Sequence, residues 1–128
     1  MALRKDLSIL VVDDMTVSRQ ILLQMLETIG ISTVRTASDA SEAVATLAQY
    51  PADLVIADLH MPGDDGVELL QTLRQDRRLS RVGYILTSGD ETNERIDVAW
   101  RAGMNRFLSK PFDINRLNSC LESVAGRV

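Results

Sequence analysis

The feature that most restricts the fold is an alternation that runs the length of the chain. A short apolar run of strand length is followed by a polar turn, then by apolar residues at helical spacing, and the unit begins again. Ser8–Val12 reads SILVV, continuous and rich in branched side chains, which suits a strand covered on both faces. Next, Val17, Ile21, Met25, Leu26 and Ile29 recur at helical spacing up to Gly30, so they are expected to form the buried stripe of a helix that Gly30 caps. The unit repeats as a weaker strand at Thr33–Ala37, a helix through Ala43, Val44, Leu47 and Ala48, and an apolar strand at 54–57. A loop punctuated by Pro62 and Gly63 leads to a helix carrying Val67, Leu70 and Leu73, then a strand at 82–86. Residues 90–92 offer N-caps for a helix through Ile96, Ala99, Trp100 and Ala102 that stops at Gly103. A last strand covers Arg106–Ser109, and Asp113 stands where it can cap the final helix.

Five strands alternating with five helices, with no linker or repeat between them, predict a doubly wound α/β domain: a parallel sheet, helices on both faces, right-handed crossovers. A length of 128 residues with 45% hydrophobic content supports one sizeable core and no second domain, so a single domain over 1–128 is expected. No apolar run reaches membrane length, and the N-terminal segment carries Arg4, Lys5 and Asp6 where a signal peptide would be apolar. A cytoplasmic location with no membrane partner is the resulting expectation. The formal charge of -4 argues against a nucleic-acid partner, which needs clustered cations, and Arg74, Arg77, Arg78 and Arg81 read as a solvated face. Cys120 lies in the helical pattern of Ile114, Leu117, Leu121 and Val124; being the only cysteine it has no disulfide partner, and it reads as a helix residue without a catalytic role.

In a parallel sheet the carboxyl ends of all strands lie along one edge, where ligands bind at the point at which the strand order reverses. Four of the five strands are followed there by reactive side chains: Asp13 and Asp14, Asp58, Thr87, and Lys110. Lys110 is conspicuous because the only other lysine is Lys5, the remaining basic residues all being Arg. Each group alone has an ordinary reading, as a solvated loop acid, a strand-end hydroxyl or a solvated loop charge. Together they are a different matter. Three carboxylates in one place repel and raise each other's pKa unless a cation neutralises them. The donors are all oxygens, with no histidine pair or cysteine cluster, so Mg2+ fits better than zinc. Because Mg2+ usually takes one or two carboxylates with water and a phosphate oxygen, Asp58 remains free as a nucleophile toward phosphorus. Lys110 and the metal would neutralise the equatorial oxygens, and Thr87 would donate a hydrogen bond.

The stretches VVDD, IADLHMP, DDG, LTSG and LSKPF, in this order, resemble the receiver domain of two-component response regulators over essentially the whole chain, most of all the stand-alone chemotaxis receivers. The resemblance implies a flavodoxin-like sheet of order 2-1-3-4-5. It also implies Asp58 as phosphoacceptor, Asp14 and Asp58 as direct Mg2+ ligands, Asp13 acting through water, the His60 main-chain carbonyl as a further ligand, and a cis Lys110-Pro111 peptide. The donor would be the phosphohistidine of a sensor histidine kinase. The chain would then promote only its own phosphorylation and slow dephosphorylation, without acting as an enzyme on other substrates. Output would pass to a protein target, the flagellar motor switch under the chemotaxis reading, with a phosphatase as a further partner and the chain monomeric. Phe107 matches an aromatic that moves inward on phosphorylation. Ile96 and Trp100, four residues apart, are expected to share a face on the partner surface of the fourth helix and fifth strand. His60 and Gly89 flank the approach of water and would set the lifetime of the phosphorylated state. A zinc site at His60 lacks the further nitrogen or sulfur ligands it needs. Ala40 departs from the glycine such receivers often carry there. Three rivals stand beside this reading. One is a phosphate sink for a shared kinase. Another is a Mg2+-dependent aspartyl-phosphate phosphatase, for which a second acid and a cap are not found. The third is an interaction module that is never phosphorylated, against which the intact set of five polar residues speaks.

Overall fold

The strands with continuous apolar runs are the ones that need cover on both faces, and they occupy the middle of the sheet. In the computed structural model these are β1 (Ser8–Val12), β3 (Leu54–Asp58) and β4 (Gly83–Ser88), with β2 (Thr33–Ala37) and β5 (Arg106–Ser109) at the edges. The order is β2-β1-β3-β4-β5 and every pairing is parallel, as expected. Helices α1 (Thr16–Ile29), α2 (Ala40–Gln49), α3 (Gly66–Gln75), α4 (Arg95–Ala102) and α5 (Ile114–Ala125) make the crossovers. The structure describes residues 6–125; Arg4 and Lys5 of the segment read against a signal peptide, and the last three residues of the expected domain, lie outside them. No helix of the described residues is long and apolar enough to cross a membrane.

Because successive strand residues face opposite ways, the sheet divides the core in two. Leu10, Val12, Val55, Tyr84 and Leu86 pack under α2, α3 and α4, whereas Ile9, Val11, Ile56 and Ile85 pack under α1 and α5. This is why SILVV shows no polar alternation: both sets of its side chains are buried. Complete burial of Leu26 or Leu121 contributes on the order of 2 kcal/mol each.

Helix starts follow side-chain chemistry. Asp65 and Glu68 form a capping box at α3, Asp39 accepts from the Glu42 amide at α2, and Asp113 accepts from the Arg116 amide at α5, as its position suggested. Ala40, the departure noted above, is the buried first residue of α2. Gly30 ends α1 with φ of 107°, the left-handed conformation that favours glycine.

Three local expectations are corrected. Along α1 the buried residues are Leu22 and Leu26, while Val17 and Ile21 are 68% and 50% exposed. Positions 17 and 21 stand about 100° round the helix from 18 and 22, which moves them off the sheet. α4 begins at Arg95, and residues 90–92 do not cap it. Instead the Asp90 carboxylate accepts from the Thr92 amide and hydroxyl at 3.0 and 2.6 Å, a local turn that competes with helix capping. Arg74 is not part of a solvated face: it donates to the carbonyls of Val82 at 2.7 Å and Gly103 at 2.9 Å, serving an oxygen left free at the exit of α4. Arg77, Arg78 and Arg81 are exposed.

Candidate functional site

Parallel register brings the strand ends together. Val12 pairs with Ala57, Asp58 with Thr87, and Ser88 with Ser109, so Asp13, Asp58 and Thr87 stand side by side at the carboxyl edge. The Lys110 amide donates to the Ser88 carbonyl at 2.8 Å, which returns the chain after β5 toward the same place. The Lys110-Pro111 peptide is cis.

The side chains converge as the strand order implied. Lys110 Nζ lies 3.3 Å from Asp13 Oδ2 and 3.4 Å from Asp58 Oδ2. Asp13, Asp58 and Thr87 are buried, whereas Asp14 is exposed at the rim. Asp13 is held from several directions: its carboxylate accepts from the Met15 amide at 2.9 Å and the Ser18 hydroxyl at 2.5 Å, and its carbonyl accepts from the Arg19 guanidinium at 2.6 Å. Ser18 and Arg19 were not singled out from the sequence. A signal was present for Ser18, which lies one helical turn before Leu22 on the buried line of α1, where a polar residue needs a partner.

Burial pushes the Asp58 carboxyl above its ordinary value; the nearby Lys110 charge works against this and Asp13 reinforces it. One lysine facing this group of acids leaves negative charge to be neutralised. Asp13, Asp14 and Asp58 each bring a carboxylate oxygen within 4.8 Å of the others, and this all-oxygen set fits a hard divalent cation.

The turn after β3 is held just as closely. The Gly66 amide donates to the Leu59 carbonyl at 2.9 Å, and the hydroxyl of buried Tyr84 donates to the Gly66 carbonyl at 2.6 Å. A Cβ on Gly66 would stand 2.5 Å from the Asp58 carbonyl oxygen, so only glycine lets α3 start this close to the strand end. Arg95 at the start of α4 reaches back to both Asp65 oxygens at 3.0 and 3.1 Å, joining the β4–α4 and β3–α3 connections. On the other side of Asp58 a cavity of about 330 Å³ opens between α1 and the β5–α5 turn, lined by Ser18, Ile21, Met25, Ile56 and Phe112 among others.

The residues expected around the rim divide. Gly89 and His60 are exposed, and a Cβ at Gly89 would meet open space. Asp90 is held below its ordinary pKa by the Thr92 hydroxyl and amide, with a smaller contribution from His60. Phe107 is half-buried against the α4 side of the core. Trp100 is 45% exposed, but Ile96 is only 7% exposed and belongs to the core, so the two do not share a docking face. Four residues advance about 40° beyond a full turn, enough at the border of the buried face to separate a core residue from a surface one. Cys120 is buried and its thiol is pushed up to about 11 by burial, which disfavours the reactive thiolate.

A doubly wound domain with a lysine-countered acidic centre at its carboxyl edge is an architecture shared with known proteins. The family model for the response regulator receiver domain matches residues 9–122. Chemotaxis protein CheY-3 of Vibrio cholerae is 31% identical over 98% of this chain and 97% of its own length, and chemotaxis protein CheY of Pseudomonas aeruginosa is 30% identical over 95% and 98%. The solved structure of Vibrio cholerae chemotaxis protein CheY4 crystallized at low pH superposes with a TM-score of 0.87 at 27% identity, covering 93% of this chain and 98% of that one. The receiver domain of the Pseudomonas aeruginosa sensor histidine kinase PA1611, solved with a magnesium ion coordinated in its active-site cleft, has a TM-score of 0.86 at 26% identity, covering 94% and 98%. The chain belongs to the response regulator receiver domain family.

Proposed function

We propose that the chain is a phosphorylatable switch in which Asp58 accepts a phosphoryl group from the phosphohistidine of a sensor histidine kinase. The observation that carries this reading is the placement of Lys110 Nζ between Asp13 and Asp58, at 3.3 and 3.4 Å, with Thr87 in register beside Asp58. An Asp58 carboxylate oxygen forms the new P–O bond as the P–N bond to the donor imidazole breaks; the bonding pair stays on that ring nitrogen, and the histidine, protonated on its other nitrogen, leaves as neutral imidazole. Lys110 then exchanges its contact with Asp58 for one with a phosphoryl oxygen, and the Thr87 hydroxyl donates to another. Asp13, Asp14, Asp58 and the His60 carbonyl would hold Mg2+, which supplies positive charge to the phosphoryl oxygens.

The chain accelerates its own phosphorylation and hydrolysis and turns over no separate substrate, so it is a switch and not an enzyme. Phosphorylation adds charge and acceptor oxygens at the strand ends and biases a surface that includes Phe107 and Trp100. His60 and Gly89, exposed on either side, control how water reaches the acyl phosphate. The relatives named as chemotaxis proteins support a role in chemotaxis, for which the flagellar motor switch is the target we propose, with the chain acting as a cytoplasmic monomer.

The test is incubation with acetyl phosphate and Mg2+, followed by mass spectrometry. A phosphoryl increment is expected in the wild type, and it is expected to vanish on chelation or in Asp58→Asn. Labelling that survives the substitution overturns the reading.

A further inference from the structure

A lysine ammonium carries three N–H donors and no acceptor. In this site Lys110 faces three oxygens: Asp13 Oδ2 at 3.3 Å, Ser18 Oγ at 3.3 Å and Asp58 Oδ2 at 3.4 Å. Ser18 commits its only hydroxyl hydrogen to Asp13 Oδ2 at 2.5 Å, so an oxygen lone pair is left for the ammonium. Lys110, Ser18 and Asp13 thus close a ring of hydrogen bonds that joins the turn after β5, helix α1 and the end of β1. Among the described residues the Ser18 hydroxyl has no other hydrogen-bond partner. The space beside it is the largely apolar cavity lined by Ile21, Met25 and Phe112.

We propose that Ser18 is a positioning residue for phosphoryl transfer, holding Lys110 aimed at the phosphoacceptor while occupying Asp13; the inference rests on the phosphoacceptor reading of Asp58. When Lys110 leaves Asp58 Oδ2 for a phosphoryl oxygen, Ser18 and Asp13 keep the ammonium in reach, so the exchange is a change of one contact out of three. Removing the hydroxyl acts in two opposite directions. Lys110 loses a fixed partner, which slows transfer. Asp13 Oδ2 loses its shortest donor and faces a less constrained ammonium, which leaves the acidic group more available to a divalent cation.

The experiment compares the full chain with Ser18→Ala and Ser18→Thr. With lysine only at positions 5 and 110, 15N-lysine labelling yields two ammonium signals, and slow hydrogen exchange with water identifies the one held by hydrogen bonds. Slow exchange is expected at Lys110 in the wild type and Ser18→Thr, and fast exchange in Ser18→Ala. In Ser18→Ala, acetyl phosphate labelling is expected to slow about tenfold, the size of one lost charge-assisted hydrogen bond. Calorimetric Mg2+ affinity is expected to tighten about twofold in the same variant, while Ser18→Thr restores both. A merely structural role weakens Mg2+ binding and labelling together, and that outcome overturns the proposal. Slow ammonium exchange persisting in Ser18→Ala overturns it too, as does failure of threonine to restore function. If the wild type itself does not label, the phosphoacceptor reading fails and the role in transfer falls with it, while the exchange and Mg2+ results still decide whether Ser18 holds Lys110.

Discussion

Replacing Gly66 with alanine sets two known effects against each other where α3 leaves the strand that bears Asp58. In the interior of an open helix alanine gains about 1 kcal/mol over glycine, which is the most it can gain at a first helical position such as Gly66. Gly66 is not among the glycines with positive φ, so its conformation does not forbid a side chain. The obstacle is space: the new Cβ would lie 2.5 Å from the Asp58 carbonyl oxygen and 2.7 Å from Leu86 Cδ1. Ordinary carbon to oxygen contact begins near about 3.3 Å, so turn and strand must part by about 0.8 Å. Neither neighbour yields easily, one being backbone of a buried strand and the other a fully buried leucine. Overpacking of this kind costs about 3 kcal/mol at its upper range, leaving a net loss of about 2 kcal/mol after the helix gain. For 128 residues the unfolding entropy is about 0.27 kcal/mol/K, which makes the loss a fall in Tm of about 7 °C. Differential scanning calorimetry measures it directly, and labelling by acetyl phosphate should slow in the same variant as the strand end moves. A Tm at or above that of the wild type would refute the reasoning, because it would mean that helix propensity outweighs the clash.

Two further outcomes are expected. Burial raises the folded-state pKa of Asp58 above the ordinary 3.8, so its stabilising contribution is present below that ordinary value and is lost as pH rises through the raised one. Asp58→Asn should therefore raise Tm by a few degrees at neutral pH without divalent ions, with the gain shrinking as pH falls into the carboxylate range; a gain that grows on acidification contradicts this. The buried and exposed members of α4 should separate in denaturant titrations, Ile96→Ala losing about 2–5 kcal/mol and Trp100→Ala staying within about 0.5 kcal/mol of the wild type. Equal losses in the two variants would place Trp100 in the core.

What was readable in the sequence follows from how local each signal is. The central strands and the Asp113 cap depend on nearby residues, and the parallel order then carries Asp13, Asp58, Thr87 and Lys110 to one edge without any further information. The failures have two causes. Val17 and Ile21 are apolar but point off the sheet, and Ile96 and Trp100 differ in burial although they stand one turn apart, because helical periodicity does not define where a buried face ends. Arg74 was misread and Ser18 passed over because part of their bonding, to Gly103 and to Lys110, lies 29 and 92 residues away. Distances of that kind enter only with the fold.

Asp58 touches both layers of the core at once. It lines the cavity between α1 and the β5–α5 turn, while its carbonyl bears on Gly66 and so on the layer of α3 and α4. Elsewhere the sheet insulates the layers, so substitutions such as one at Ile96 and one at Leu121 should add independently. Helices α3 and α4 can thus be altered without repacking the opposite layer. Insulation ends at the strand tips, and a chemical change at Asp58 bears on both layers at once.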